Sequence, residues 1–377
     1  MDFDRSLPCP GVAPRSRRTH SLKSFSLTTY STRMRFEQVD IAALGYALPE
    51  EVVTSTEIEA RLKPVYERLR LPEGRLELMT GIRERRLWPA GFRPSDAAAL
   101  AGRDALRRAA LAPEAVDALF HCSVCRDFLE PATSTVVHHQ LGLGGHALNF
   151  DLSNACLGVL SGMIVAAGMI ELGQLRSALI VSGENSRPLF EATLRRLLED
   201  RTLTRQSSKD AFASLTIGSA AAAALLVRRD PARPGHRLLG GACRANTAWN
   251  HLCQGDAAGN GGALMSTNSE ELLVRGVETA AATWADFKRE LGWNETTPDI
   301  VCTHQVGRVH RDRLYQALGL DPARDFATVD SLGNCGSASL PVTAARAADS
   351  GRLQPGQRLA MLGIGSGINC AMLGVDW

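Results

Sequence analysis

The stretch Ser153-Asn-Ala-Cys-Leu-Gly158 has a counterpart 180 positions later, Gly333-Asn-Cys-Gly-Ser-Ala338. Three further pairs of blocks follow the same order at nearly the same spacing: Asp117 to Val124 with Asp299 to Val306, Glu171 to Leu175 with Asp349 to Leu353, and Ser177 to Gly183 with Arg358 to Gly363. Apolar strands resemble one another by chance, but agreement in register over four pairs of blocks does not arise that way. The sequence therefore predicts two similar halves of one protein.

Beyond Met34, short apolar or β-branched runs alternate with longer helical patterns, which is typical of stacked β/α units with a mostly parallel sheet. We therefore assign an α/β fold class and divide the chain into halves at residues 34–205 and 206–377. A capping box from Thr54 to Glu57 and a cap at Ser95 predict two helix starts. The predicted strands are Phe36 to Leu44, Val116 to Cys122, Leu148 to Leu152, Ala178 to Ser182, Ile217 to Val227, Ile300 to His304 and Leu359 to Ile364.

Composition excludes several classes of protein. The chain has 377 residues, 45% of them apolar and 22% charged, which argues against a disordered or fibrous protein. Its net charge of +2 comes from the first 33 residues, and the rest, with 36 basic and 38 acidic groups, gives no electrostatic reason to expect nucleic acid or a membrane surface as partner. The longest apolar stretches fall short of the ~20 residues of a membrane span.

Residues 1–33 are rich in Ser, Thr and Arg, so they read as a disordered extension, a start codon placed too early or, less favoured, a transit peptide. Nine scattered cysteines show no disulfide spacing and predict a reduced, cytoplasmic protein. Cys122 and Cys125 form a single CxxC without a second pair of ligands, so we expect no metal site.

Cys156 is the candidate nucleophile because it follows a predicted strand and begins an apolar helix. A helix N-terminus stabilises a thiolate, so we expect a lowered pKa for this thiol, and its N–H groups can receive an oxyanion. Cysteines are most often buried small apolar residues, and we expect that role for the other eight.

His304 and Asn334 occupy the corresponding end of the second half, since His304 ends a predicted strand and Asn334 lies in the repeated block. Taken singly, the histidine could be a hydrogen-bonded core residue and the asparagine a turn residue. Their convergence with Cys156 favours catalysis. A papain-like protease also uses Cys, His and Asn, but the β/α duplication is the wrong scaffold for it.

These residues resemble the thiolase superfamily and, within it, the ketoacyl-ACP synthase III branch, over Met34 to Trp377. The resemblance implies a thiolase-like fold with layered α-β-α-β-α architecture and a ping-pong mechanism through acyl-Cys156. It also implies an oxyanion site at the backbone N–H groups of Cys156 and Ser366, with His304 and Asn334 holding the enolate of the second substrate. The motifs that carry it are Thr80-Gly-Ile-Arg-Glu-Arg85, Asn154-Ala-Cys156, His304-Gln305, Gly333-Asn334, Ser337-Ala-Ser-Leu-Pro341 and Gly363-Ile-Gly-Ser-Gly367.

One segment departs from synthase III. Arg126-Asp-Phe-Leu-Glu-Pro131 puts Glu130 where that branch has an aromatic residue that reaches across the dimer. A lone Glu-Pro is ordinarily a surface carboxylate. Together with Arg86-Leu-Trp88, His304-Gln-Val306 and Gly363 to Cys370, however, the segment resembles the OleA type of olefin-biosynthesis condensing enzyme. A carboxylate facing an acyl pocket would have a raised pKa and could act as a general base.

The OleA resemblance implies non-decarboxylative, head-to-head Claisen condensation of two fatty acyl-CoA molecules, giving a 2-alkyl-3-oxo acid and CoA. It implies a homodimer in which Glu130 serves the partner's Cys156, with no cofactor besides the CoA of the substrate. Enzymes that turn the product into a hydrocarbon or a β-lactone are candidate partners. A malonyl-ACP-dependent synthase III and an acyl-CoA thioesterase remain the alternatives.

Contacts to the nucleotide of CoA are less well defined by the sequence. A basic residue that meets CoA in synthase III is replaced by Met79, and the Asn of its His-Gln-Ala-Asn motif is replaced by Gly307. Arg83, Arg85 and Arg86 are the candidate substrate-binding residues nearby.

Overall fold

The computed structural model describes residues 34–259 and 262–377, so the predictions for residues 1–33 lie outside it. The helices are α1 Ser55–Arg61, α2 Lys63–Leu69, α3 Arg75–Thr80, α4 Pro94–Arg108, α5 Thr133–Leu141, α6 Gly158–Glu171, α7 Arg187–Glu199, α8 Arg205–Ser214, α9 Ser269–Leu291, α10 Arg308–Leu318, α11 Val329–Leu332 and α12 Ser339–Asp349. The strands are β1 Met34–Arg35, β2 Val39–Ala47, β3 Glu51–Thr54, β4 Glu84–Leu87, β5 Ala118–His121, β6 Leu148–Asp151, β7 Ser177–Glu184, β8 Ala220–Arg228, β9 His236–Ala245, β10 Cys253–Gly259, β11 Gly262–Thr267, β12 Ile300–Thr303, β13 Arg358–Gly365 and β14 Asn369–Asp376.

The strand order repeats, as the sequence blocks predict. Strands β5, β7, β8 and β2 are neighbours in that order, and β12, β13, β14 and β9 are neighbours in the same order. In each set the first pair is parallel and the next two pairs are antiparallel. The two sets meet where β2 pairs with β9 through Asp40 and Ile41. Strand β6 adds an edge next to β5.

Helices and strands alternate in five layers. The largest apolar cluster packs α6 and α12 between the inner faces of the two strand sets, and it includes Leu160, Ile180 and Met361. Helix α4 covers the outer face of the first set, and α9 and α10 cover the outer face of the second set. This α-β-α-β-α layering confirms the thiolase-like architecture. Among the described helices, none combines the length and apolarity that crossing a bilayer requires.

Strand β8 pairs with β7 and β2. The division of the chain between residues 205 and 206 stays a prediction. One local prediction needs correction. Ser95 lies inside α4, because Pro94 occupies the first turn and Arg93 is the N-cap. The capping box at Thr54 is confirmed, since its hydroxyl accepts a hydrogen bond from the Glu57 N–H and the Glu57 carboxylate accepts one from the Thr54 N–H.

Glycine sets how closely α4 approaches the sheet. A Cβ on Gly183 of β7 would lie 2.0 Å from the Pro94 carbonyl oxygen, which is backbone that cannot move aside. We expect Gly183→Ala to cost about 3 kcal/mol of unfolding free energy or more, because α4 must shift away. Thermal unfolding should show this as a fall of several degrees in Tm.

Gly168→Ala in α6 is the matched control, since a Cβ there has open space within 4 Å. Alanine is a better helix former than glycine, so this variant should keep or raise the Tm. An unchanged Tm for Gly183→Ala would contradict the close packing of α4 on β7.

Candidate active site

Cys156 lies where the chain passes from β6 into α6. It occupies a short helical turn, Ala155–Leu157, directly ahead of Gly158. Ala155 has φ = 44°, a left-handed conformation that a residue with a Cβ rarely adopts, so the backbone holds Cys156 in a constrained turn. This placement agrees with the prediction of a nucleophile at a helix start.

The protonation state of Cys156 differs from the prediction. Burial, together with the nearby carboxylate of Glu184 and the thiol of Cys253, raises the pKa of the Cys156 thiol to about 12. The expected lowering by the helix N-terminus is therefore wrong for the free enzyme, in which this group is a neutral thiol at neutral pH.

His304 follows β12 directly, and its backbone N–H donates to the Leu362 carbonyl oxygen at 2.9 Å. Both ring nitrogens are shielded from solvent and have no hydrogen-bond partner within the described residues. Burial, aided by the neighbouring His310, lowers the pKa of the imidazole to about 4, so the ring is neutral at neutral pH. A buried, neutral imidazole with two free nitrogens is available to a substrate.

Asn334 lies in the turn between α11 and α12. Its backbone is anchored, because its N–H donates to the Thr216 carbonyl oxygen and its carbonyl oxygen accepts from the Gly218 N–H. Its Oδ1 accepts from the Gly336 N–H at 3.0 Å. That bond fixes the side-chain amide, so the Nδ2 group remains the donor that a ligand could use.

The Gly363 to Gly367 motif, at the end of β13, lies next to the backbone of Cys156. A Cβ on Gly365 would lie 3.6 Å from the Cys156 nitrogen, so this glycine allows the Gly363 to Gly367 turn to approach the nucleophile's backbone. Ser366 follows in that turn and is partly buried. The location is consistent with the predicted pair of oxyanion donors, the N–H groups of Cys156 and Ser366.

Ser337 joins the two pseudo-symmetric helix starts. Its hydroxyl donates to the Cys122 carbonyl oxygen at 2.7 Å and accepts from the Val159 N–H at 2.8 Å. The starts of α6 and α12 therefore lie side by side, as the repeated blocks predict. The turn Ala155–Leu157 contacts both the turn Gly336–Ala338 and β13, and Leu362 of β13 accepts from the His304 N–H, so the fold brings Cys156, His304 and Asn334 to this end of the central helices.

Glu130 does not join that cluster within its own chain. It is exposed, on a loop between β5 and α5 that also exposes Phe128 and Leu129. Within the described part of the chain it makes no hydrogen bond or ion pair with Cys156, His304 or Asn334. The predicted acyl-pocket environment for this carboxylate is absent from the single chain.

The three candidate CoA-binding arginines separate into different environments. Arg83 is exposed and lies 3.7 Å from Glu84. Arg86 donates to the Pro49 carbonyl oxygen. Arg85 has none of its surface exposed and donates to Ser55 Oγ at 3.1 Å, and its role in substrate binding stays a prediction. The alternation of β4 turns this side chain inward.

Sequence reasoning missed Glu184, the last residue of β7. Its carboxylate is buried and accepts hydrogen bonds from three backbone N–H groups beside Cys156. An acidic residue two positions after the predicted strand Ala178 to Ser182 was the available signal. Among the described residues, no group of His, Cys, Asp and Glu is arranged to hold a metal ion.

Comparisons with known proteins agree with this site. Residues 150–247 match the family model of 3-oxoacyl-[acyl-carrier-protein] synthase III, and residues 289–377 match the model of its C-terminal part. The acyl-CoA:acyl-CoA alkyltransferase of Shewanella oneidensis is 40% identical over 91% of this chain and all of its own length. That of Xanthomonas campestris pv. campestris is 38% identical over the same shares of the two chains.

The crystal structure of cerulenin-bound OleA from Xanthomonas campestris superposes with a TM-score of 0.87 at 38% identity, covering 92% of this chain and 98% of that one. A beta-ketoacyl-[acyl-carrier-protein] synthase III from Symbiobacterium thermophilum is more distant, at 28% identity over 91% of this chain and 99% of its own. This chain is an acyltransferase of the thiolase superfamily, and it belongs to the acyl-CoA:acyl-CoA alkyltransferase family, the OleA type.

Proposed function

We propose that the enzyme joins two fatty acyl-CoA molecules head to head and yields a 2-alkyl-3-oxo acid and CoA. The observation that carries the proposal is a partly buried thiol at the same end of the central helices as the His304 ring, whose two nitrogens have no partner among the described residues, and as Asn334, whose Oδ1 is bonded and whose Nδ2 group is left as a donor. Two relatives are named acyl-CoA:acyl-CoA alkyltransferases, and one Xanthomonas OleA structure contains bound lauric acid and lauroyl-CoA.

In the first half-reaction the Cys156 sulfur attacks the thioester carbonyl. The N–H groups of Cys156 and Ser366 hold the oxyanion, the carbon–sulfur bond to CoA breaks, and the proton of the Cys156 thiol ends on the departing CoA thiol. Backbone donors fixed in advance stabilise the tetrahedral intermediate without reorganising. The product of this step is acyl-Cys156.

In the second half-reaction, Glu130 of the partner subunit removes a proton from the carbon next to the thioester of a second acyl-CoA. His304 and the Nδ2 group of Asn334 donate to the oxygen that becomes the enolate. The carbanion attacks acyl-Cys156 and releases the sulfur, which recovers a proton. Water then cleaves the remaining thioester to give the free β-keto acid and CoA.

A second copy of the chain suits the surface around Glu130. The loop exposes 53% of Val124, 43% of Phe128 and 88% of Leu129, an apolar group next to the carboxylate. Strand β6 ends the sheet, so one of its edges has no partner strand within the described chain. A homodimer would cover these features and bring Glu130 to the partner's site.

We place the reaction in the cytoplasm, because every cysteine in the described residues is free. The proposed chemistry needs no cofactor besides the CoA of the substrate. Enzymes that convert the β-keto acid to a hydrocarbon or a β-lactone are the proposed downstream partners.

Supplying one long-chain acyl-CoA, without any malonyl donor, tests the proposed reaction. Mass spectrometry should detect the coupled β-keto acid or the ketone left after decarboxylation. Free fatty acid as the only product would contradict condensation and favour a thioesterase. Product formation that requires malonyl-ACP would favour a synthase III.

A further inference from the structure

Glu184 is a buried carboxylate that the proposed mechanism does not use. It is 4% exposed at the end of β7. Its Oε1 accepts from the Val124 N–H at 2.9 Å and from the Ser337 N–H at 3.1 Å, and its Oε2 accepts from the Cys125 N–H at 3.2 Å. Three backbone donors on one carboxylate are what an ionised side chain needs when it is out of water.

The three donors belong to two separate parts of the site. Val124 and Cys125 lie near the start of the loop between β5 and α5, the loop that carries Glu130. Ser337 follows the Asn334 turn, and a Cβ on Gly336 of that turn would lie 3.1 Å from the Glu184 carboxylate. Glu184 therefore links the loop that carries the proposed base to the turn that carries the proposed enolate donor.

The rest of the Glu130 loop is held more sparsely. Asp127 accepts from the Ser95 N–H and donates its own N–H to Thr133 Oγ1. From Phe128 to Pro131, the structure gives no hydrogen bond among the described residues. The hydrogen bonds to Glu184 thus fix the first residues of the loop, Val124 and Cys125, and the hydrogen bonds of Asp127 fix its middle.

We propose that Glu184 is a positioning residue for condensation: its carboxylate fixes the root of the Glu130 loop relative to the Asn334 turn. The inference rests on the proposed function. Acylation of Cys156 uses neither Glu130 nor the enolate donors, so loss of this link should affect the second half-reaction and spare the first. A displacement of about 1 Å at a reacting group can cost about 10²-fold in rate.

Glu184→Gln tests this, because the amide keeps the shape but places an NH2 group or an oxygen with weaker acceptor strength against the Cys125 N–H. We expect coupled product to fall about 10²-fold. Acyl-Cys156 should form at a rate within a few-fold of the wild-type rate, as measured by mass spectrometry of the intact protein. Equal losses in both half-reactions, or unchanged coupling, would overturn the inference.

A second readout reports the carboxylate itself. Burial raises the pKa of Glu184, and its three backbone N–H donors oppose that rise. In its ionised form the carboxylate raises the pKa of the nearby Cys156 thiol, so iodoacetamide should alkylate Cys156 at lower pH in Glu184→Gln than in the wild type. Peptide mass spectrometry isolates Cys156 from the other cysteines. An unshifted pH profile would overturn the placement of the charge beside the nucleophile and the inference with it.

Glu59→Gln is the matched control. Glu59 is also a buried carboxylate, and it accepts from the Gly74 and Leu76 N–H groups and the Tyr66 hydroxyl, away from the nucleophile. It should lose stability while keeping the ratio of coupling to acylation. If Glu184→Gln does not fold, Glu184→Asp is the test variant. A loss of coupling without a loss of Cys156 acylation would support the inference, and coupling at the wild-type rate would overturn it.

The wild type, assayed in parallel, separates the two proposals. No coupled product from the wild type would refute the proposed function. Coupled product from the wild type, with equal coupling by Glu184→Gln, would refute only the role of Glu184.

Discussion

A Cys156→Ala chain mixed with a Glu130→Ala chain should regain about a quarter of the wild-type coupling activity, although neither variant alone should make coupled product. In a homodimer that exchanges Glu130, the mixed dimer contains one site with an intact Cys156 and a Glu130 supplied by its partner. Random pairing makes about half of all dimers mixed, and one of the two sites in each is complete. Co-expression with two different affinity tags, followed by the acyl-CoA coupling assay, measures this.

The controls are the separate variants. Cys156→Ala removes the nucleophile and should form no acyl-enzyme. Glu130→Ala should still form acyl-Cys156, because the first half-reaction needs no general base on the second substrate. If Glu130 acted within its own chain, the mixture would remain inactive, since every chain would then lack one of the two groups. Normal coupling by Glu130→Ala would remove this residue from the mechanism.

The duplicated fold was predictable because the repeated blocks contain small residues that close packing requires, in addition to the apolar pattern of the strands. Gly158 corresponds to another small residue, Ala338, in the second block, and a Cβ on Gly158 would lie 2.6 Å from the Cys122 carbonyl oxygen and 2.7 Å from Ser337 Oγ. Such close approach at the helix start keeps the residue small. The same block carries the nucleophile, so the positions of Cys156 and Asn334 followed from the repeat.

The environment of each side chain was harder to predict, because it depends on residues distant in the chain. The pKa of Cys156 is raised by burial and by Glu184, 28 positions away, which outweigh the helix start that the sequence displays. Arg85 belongs to a motif near the site, but the motif does not say which face of β4 it occupies. The exposure of Glu130 in one chain is consistent with a role that requires a second chain.

Asn334→Ala should lower coupling by about 10²–10³-fold while acyl-Cys156 still forms, because it removes one donor to the developing enolate oxygen. Asn334→Asp should lose at least as much. The aspartate keeps an oxygen to accept from the Gly336 N–H, but it places a negative charge where the enolate charge develops. The coupling assay and intact-protein mass spectrometry measure the two half-reactions separately.

Asn294→Ala controls for the turn itself. Asn294 Oδ1 accepts from the Thr296 N–H at 2.9 Å, the same two-residue turn that Asn334 makes with Gly336, on a surface loop after α9. Each alanine variant removes the turn hydrogen bond, worth about 1 kcal/mol, and Asn294→Ala also removes two bonds from the Thr296 and Thr297 hydroxyls, so its loss of Tm should be at least as large as that of Asn334→Ala. Only Asn334→Ala should lose coupling, because only its amide has the proposed role of donating to the enolate. Equal coupling in the two variants would show that Asn334 only stabilises its turn. His304 would then have to stabilise the enolate without Asn334.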